Sequence, residues 1–240
     1  MFDVAAELRG GVKGPRHAWD FLRAFAAEWV GVPVAAGHGS PTEDLDAAEQ
    51  ELGFVLPSAL REGFLLLGSR DDLTRNQDPL LQPTGLFVED GVLVFRRENQ
   101  DCAWWGISLD EVEQDDPPVV VQSPDGWIPF LDRMSTAWVE LVLSETLFAD
   151  AAPGRGLHDA CELPSSSLPA LEAAFTRVDV PDYPMWVGPD DSPVRWYAGP
   201  GCLLRRDGLE DLSWLYVRGC TDEVTEGIRR TVPGRWERGS

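Results

Sequence analysis

Lysine is almost missing from this chain: of 20 basic residues, only Lys13 is not an arginine. Histidine is scarce too, with His17, His38 and His158 scattered along 240 residues. That scarcity removes most of the general-base and metal-ligand chemistry that relies on imidazole. His17 opens the first helical stretch, while His38 and His158 lie in glycine-rich segments and read as solvated loop side chains. No Gly-x-Ser-x-Gly elbow, Cys–His arrangement or His-Glu-x-x-His string occurs. Gly10-Gly11-Val12-Lys13-Gly14 has neither a strand before it nor a Ser or Thr after the lysine, so it is not a phosphate loop.

Cysteine is also thinly spread. Cys102, Cys161, Cys202 and Cys220 stand 59, 41 and 18 residues apart, and none has a second Cys or a His at metal-ligand spacing. They read as reduced, partly buried thiols of a cytosolic protein, and neither a metal nor a cofactor is expected. No apolar run approaches the roughly 18 residues that a membrane span needs. Met1–Arg9 carries two acidic groups and no long apolar run, so it is not a signal peptide, and the expected location is the cytoplasm. The carboxylate pairs Asp115-Asp116 and Asp190-Asp191 both sit beside prolines in expected loops. Adjacent residues on a strand point to opposite faces, so neither pair suits acid–base work on a glycosidic bond. No EF-hand spacing is present.

What the chain does have is acid. Its 41 Asp and Glu residues give a net charge of −21, and the excess is local. Residues 41–120 hold 18 acidic against five basic residues and residues 121–200 hold 12 against four, whereas both ends balance. Such a field repels phosphate backbones and anionic membrane surfaces, so neither nucleic acid nor membrane is an expected partner. It attracts basic proteins and speeds their encounter. With 43% hydrophobic residues and ten tryptophans, the chain has ample material for a core.

The apolar pattern starts helical. Trp19, Leu22, Phe25, Ala26 and Trp29 mark one face of a helix over 16–30. Ser40-Pro41-Thr42-Glu43 predicts an N-cap, an N1 proline and a capping-box glutamate for a second helix, which Gly53 stops. Pro57 opens a third helix that closes at Gly68. From Gly85 the period changes to strands: 86–88, 92–95, 102–107, 119–121 and 127–130, with Asp90-Gly91 and Asp125-Gly126 as turns. A helix over 131–148 follows, with Leu131, Met134, Trp138, Leu141, Val142 and Leu147 as its apolar side. Residues 151–167 read as a connector, and a short helix begins at Leu168-Pro169. Strands are expected at 185–187, 194–197, 202–204 and 214–217, and Thr221 caps a last helix before a frayed tail from Pro233. The expected fold class is α+β: one continuous antiparallel sheet, a hairpin meander, with helices packed on one side. It is expected as a single domain over 1–240, with a helical extension at 1–39, core helices and sheet at 40–150, C-terminal strands and helices at 151–232 and a tail at 233–240.

Two stretches carry a resemblance. Glu49-x-x-Leu52-Gly53-x-x-Leu56-Pro57, with its following helix ending at Leu67-Gly68, resembles the opening of the SMI1/KNR4 family of the SUKH superfamily. Trp104-Trp105-Gly106-Ile107, entered through Glu98-Asn99-Gln100, looks like that family's second signature. The helix after Leu168-Pro169 and the Tyr183-Pro184-Met185-Trp186 stretch resemble long actinobacterial members. Leu60 stands where many members carry an aromatic, and the first helix lies outside the minimal unit. The resemblance implies an antiparallel sheet backed by helices, no catalytic residues, and a role as an immunity protein that binds and neutralises a polymorphic toxin. Its alternative is a stand-alone regulatory or scaffold protein of the same fold. An acidic inhibitor can occupy the basic surface of a nuclease toxin as a mimic of nucleic acid. The candidate contacts are loop acids near the strands, Asp71, Asp72, Asp78, Glu89, Asp90, Glu98 and Asp101, with Trp104 and Trp105, one of which should face the core.

Overall fold

The computed structural model describes residues 2–149, 158–189, 193–208 and 212–237. Asp90 and Gly91 take φ of 49° and 76°, the left-handed pair that a two-residue type I′ turn requires. They fold β1 (Phe87–Glu89) onto β2 (Val92–Arg97). β3 (Trp104–Ser108), β4 (Val119–Ser123) and β5 (Gly126–Leu131) extend the meander into a five-stranded antiparallel sheet in sequence order. Gly106 lets β2 and β3 close up, since a Cβ there would lie 2.4 Å from Val92 Cγ1 and 2.6 Å from the Leu93 oxygen.

The sheet is not continuous. A second, six-stranded antiparallel sheet has the order β11-β6-β10-β9-β8-β7. Its strands are β6 (His158–Pro164), β7 (Thr176–Arg177), β8 (Arg195–Gly199), β9 (Cys202–Asp207), β10 (Leu212–Gly219) and β11 (Arg235–Trp236). Pro129 leaves the edge strand β5 one donor short of what a sixth strand would pair with. The α+β class stands with two sheets in place of one. The segment read as a connector holds β6, and the expected tail pairs back onto it through Arg235 and Trp236. Met185-Trp186-Val187 is a turn between isolated bridges and not a strand. The rest of the expected connector and tail, and the Asp190-Asp191 pair, lie outside the described residues.

Both sheets pack on one helix, α6 (Met134–Phe148), which is buried at every position from Met134 to Leu147. The single apolar side read from the sequence is therefore only part of its contact surface. Its polar members are taken inside with it, Glu140, Ser144 and Glu145 each being buried with hydrogen-bond partners. The other helices are α1 (Val4–Glu7), α2 (Pro15–Ala24) continuing into a π turn at Phe25–Trp29, α3 (Thr42–Leu52), α4 (Ser58–Leu67), α5 (Asp71–Thr74), α7 (Leu168–Ala174) and α8 (Asp222–Thr231). Residues expected as an N-terminal extension supply Phe2, Leu8, Leu22 and Phe25 to the main core. Alternate residues of the second sheet face opposite ways: Trp196, Ala198 and Leu203 join that core, while Tyr197 and Leu204 meet Leu171 of α7 and Ile228 of α8. Helices thus cover both faces of this sheet, which supplies the layer a thin four-strand sheet would have lacked. No helix of the described residues is long and apolar enough to cross a membrane.

The expected local signals hold unevenly. Gly53 ends α3 in the left-handed region at φ 81°, and the Thr221 side chain caps α8 by accepting from Val224 N. The capping box at Ser40 does not form; Pro41 is the cap residue, and Ser40 is buried with its backbone N donating to Phe64 O at 2.8 Å. Ser40 instead packs against Gly68, where a Cβ would come within 2.1 Å of the Ser40 Oγ. Trp138 of α6 fills a slot edge-on to Phe64 and Trp19, over Gly63. A Cβ at Gly63 would lie 2.0 Å from the Trp138 ring. Gly63→Ala should therefore lower stability by about 1–3 kcal/mol through overpacking, read as a reduced midpoint of urea unfolding; an unchanged midpoint would show that the slot is slack.

Candidate partner-binding site

A buried charge network fixes what stands around it. Arg96 of β2 lies just beyond a bulge after Val94 and is 3% exposed. Its guanidinium donates to Glu140 at 2.9 Å and to Glu145 at 3.0 Å, both on α6, and stacks over Trp105 at 4.7 Å. Removing one side of such a pair strands a buried charge, at a cost of about 3–5 kcal/mol. Glu145 also accepts the backbone N–H groups of Asn76, Gln77 and Asp78. Glu140 accepts from Ser144 and from the Tyr183 hydroxyl, which in turn accepts from Trp196 Nε1. Arg205 of β9 completes the set, gripping Asp207 with two bonds of 2.8 Å and donating to Ser144 at 3.0 Å. Burial weakens Arg205's hold on its proton, but Asp207, Tyr183 and Glu140 together outweigh this and its pKa is raised. The cavity among these groups is about 40 Å³, room for water and for no organic substrate.

The nine residues singled out from sequence do not share one surface. Asp71 pairs with Arg75, and Asp72 holds Arg70 through both oxygens at 2.7 and 2.8 Å. Asp78 is not a surface acid: it is 17% exposed, 3.9 Å from Arg96, and part of the buried network. Glu98 accepts from Gln100 N and Cys102 N, and Asp101 accepts from Trp104 Nε1 at 2.7 Å, so both hold the β2–β3 turn. Trp105 is the core member of its pair at 6% exposed, which removes it as a contact; Trp104 is half-buried, edge-on to Phe87. Glu89 and Asp90 are exposed at the opposite end of that sheet, without an ion pair among the described residues.

A groove lies at that same end. Gly91 O accepts from Leu109 N at 2.9 Å, which sets the β1–β2 turn against the β3–β4 connection. The connection places five acids within seven residues, 110–116. Two of them are structural. Asp116 accepts Ser135 N and Oγ, both at 2.7 Å, at the start of α6, while Asp115 accepts Ser58 Oγ and, through its carbonyl, Ala59 N at the start of α4. Negative groups at helix N-termini meet unpaired N–H donors there. Asp110 and Glu113 are left exposed and Glu111 half-exposed. Beside them a groove of about 620 Å³ runs over Val119, Val120, Pro129, Phe130 and Leu131, rimmed by Asp110, Glu111, Asp132 and Asp182. No Lys or Arg is among the described residues that line it. Asp182 is already held by Arg177 and Arg195. Sequence reading weighed 115–116 only as a catalytic pair and passed over Asp110, Glu111 and Asp132; the acid density before Pro117-Pro118 was the available signal.

The remaining chemistry-bearing groups have structural partners. His17 accepts from Lys13 N and His38 from Ala35 N, and His38 also lies 3.4 Å from Arg70, so it is not simply solvated. His158 starts β6 against the Phe148 ring, not in a loop. Burial pushes the Cys161 thiol up to about 11 and the Cys202 thiol up to about 12. No group of three or more His, Cys, Asp or Glu among the described residues is placed to hold a metal ion. A further cavity of about 390 Å³ beside Trp29 carries both Asp72 and Arg218 and so favours neither sign of ligand.

Burial lifts the Asp78 carboxyl from 3.8 to about 6, with Arg96 opposing the rise and Glu145 adding to it. Between roughly pH 4 and pH 6 the folded chain keeps a proton on Asp78 that the unfolded chain has lost. Its contribution to stability is full below that window, falls as pH rises through it, and stays low above. Asp78→Asn should flatten this slope and leave the protein more stable by up to about 3 kcal/mol above pH 6. Urea unfolding from pH 4 to 8 checks it, and a variant as pH-sensitive as its parent would contradict the assignment. No protein-family model matches the chain, and no match was found among curated proteins or solved structures.

Proposed function

We propose that this chain is a non-catalytic protein-binding protein of the immunity type, which neutralises a basic toxin domain by covering it with an acidic face. The observation that supports this reading best is the lack of local compensation at one end of the first sheet. Glu89, Asp90, Asp110 and Glu113 stand exposed there. Of the five arginines within residues 41–120, Arg61, Arg70, Arg75 and Arg96 are engaged in ion pairs elsewhere. A field left open in this way accelerates the encounter with a cationic surface such as a nuclease presents to phosphates. The Glu49 motif that resembles the SMI1/KNR4 opening has a local physical role in this chain. Glu49 accepts Leu56 N at 3.0 Å across the α3–α4 turn and meets Arg61 at 3.3 Å, while Gly53 makes the left-handed turn.

The test is co-expression with toxin domains encoded beside the gene. The parent chain should restore growth. The triple variant Glu89→Lys, Asp110→Lys, Glu113→Lys leaves Asp90 and its left-handed turn alone and should bind at least about tenfold more weakly, mainly through slower association. The parent's association rate should fall steeply with added salt. Equal protection by parent and variant would place the binding surface elsewhere, and failure to bind any neighbouring toxin would end the immunity reading.

A further inference from the structure

We infer that the 620 Å³ groove at the β4–β5 end of the first sheet receives a short polypeptide segment of a partner in which an apolar side chain is flanked by arginines or lysines. This rests on the protein-binding reading above and adds the occupant's chemistry.

Three features select that occupant. The floor is apolar, built by Val119, Val120, Pro129, Phe130 and Leu131, and its size is that of ligand-binding clefts. The rim is acidic on more than one side, from Asp110 and Glu111 on the β3–β4 connection and Asp132 after β5, with no cation among the described lining residues. Arg177 and Arg195 are committed to Asp182, and the exposed Arg133 pairs with Asp132 at 3.8 Å, which leaves Asp110 and Glu111 as the uncompensated rim acids. The acidic surface also continues beyond the groove to Asp90 and Glu89, because Leu109 N donates to Gly91 O, and Glu113 is exposed on the same connection. Asp110 and Glu111 alone leave two negative charges open at the rim, and a track that goes on to Asp90 and Glu89 matches a chain bearing several cations.

The occupant enters by its side chains and does not extend the sheet. β5 is the edge strand beside the groove but carries Pro129, and a register shift between Val119 and Val120 bends its pairing with β4. Both devices disfavour an added strand. The floor rests on Tyr183, whose ring meets Phe130 at 4.7 Å and whose hydroxyl donates to Glu140. The buried network therefore holds the floor in place before any partner arrives, and a preformed site loses less on binding.

The experiment is fluorescence anisotropy on the full chain with three labelled peptides of equal length: arginine alternating with leucine, arginine with serine, and glutamate with leucine. The arginine–leucine peptide should bind at least about tenfold more tightly than either of the others. Asp110→Asn with Glu111→Gln should weaken it by about tenfold, and so should Val120→Thr with Pro129→Ser, while the arginine–serine peptide should not respond to the floor variant. Circular dichroism verifies that both variants are folded; should the floor variant unfold, Pro129→Ser alone is the substitute. Equal binding of the two arginine peptides, or indifference to the floor substitutions, would overturn the inference. The two readings separate cleanly. A toxin bound equally by parent and floor variant sinks the groove and spares the immunity role, whereas tight peptide binding without toxin neutralisation does the reverse.

Discussion

Arg96 is the constraint on which the rest of the structure depends. Its guanidinium is buried between two carboxylates of α6, so the first sheet can settle in only one position along that helix. Arg205 ties the second sheet to the same helix from the other side by donating to Ser144, while Asp207 on its own strand fixes the guanidinium. Apolar packing alone tolerates sliding, because it is non-directional. Charge-assisted hydrogen bonds with lengths near 2.9 Å do not. The two sheets are therefore registered against one helix by two arginines, and Glu140 touches both halves of the network.

Registration has a further effect at segment 76–78. Three consecutive backbone N–H groups are drawn onto Glu145, which carries the chain between α5 and the first strands across the end of α6. Asp78 is pulled inside as a result. Its burial follows from its position in the chain beside that anchor, which explains why a loop acid ends up as a poor contact and a proton-holding group.

Much of the fold was legible in the sequence. The Asp90-Gly91 turn, the Gly53 stop and the Thr221 cap depend on a few neighbouring residues, and each formed as local chemistry dictates. The failures were non-local. Ser40 had every mark of an N-cap, but the close crossing with Gly68 claimed it. β6 was hidden because His158, Asp159, Glu162 and Pro164 break its apolar pattern and its partners, β10 and β11, lie far along the chain. Trp105 and Trp104 were correctly split by strand alternation, and structure was needed only to say which was which. The acidic site was half legible. Charge counting located the excess, but only the pairing of arginines revealed which acids were left uncompensated, and only the turn at Gly91 brought Glu89 and Asp90 beside Asp110.

The strand order of the second sheet has a consequence for a chain emerging from the ribosome. β6 is the first strand of its sheet to be made, but it finds β10 and β11 on its two sides only once residues 212–219 and 235–236 have been synthesised. Ser144 likewise waits for Arg205, 61 residues further on. During that interval Ser144 of α6 lacks the arginine that donates to it, and β6 offers two open edges to solvent or to a chaperone. Completion of the second sheet waits for residues 212–219 and 235–236, and the nascent chain is most exposed to misassociation just before those strands appear.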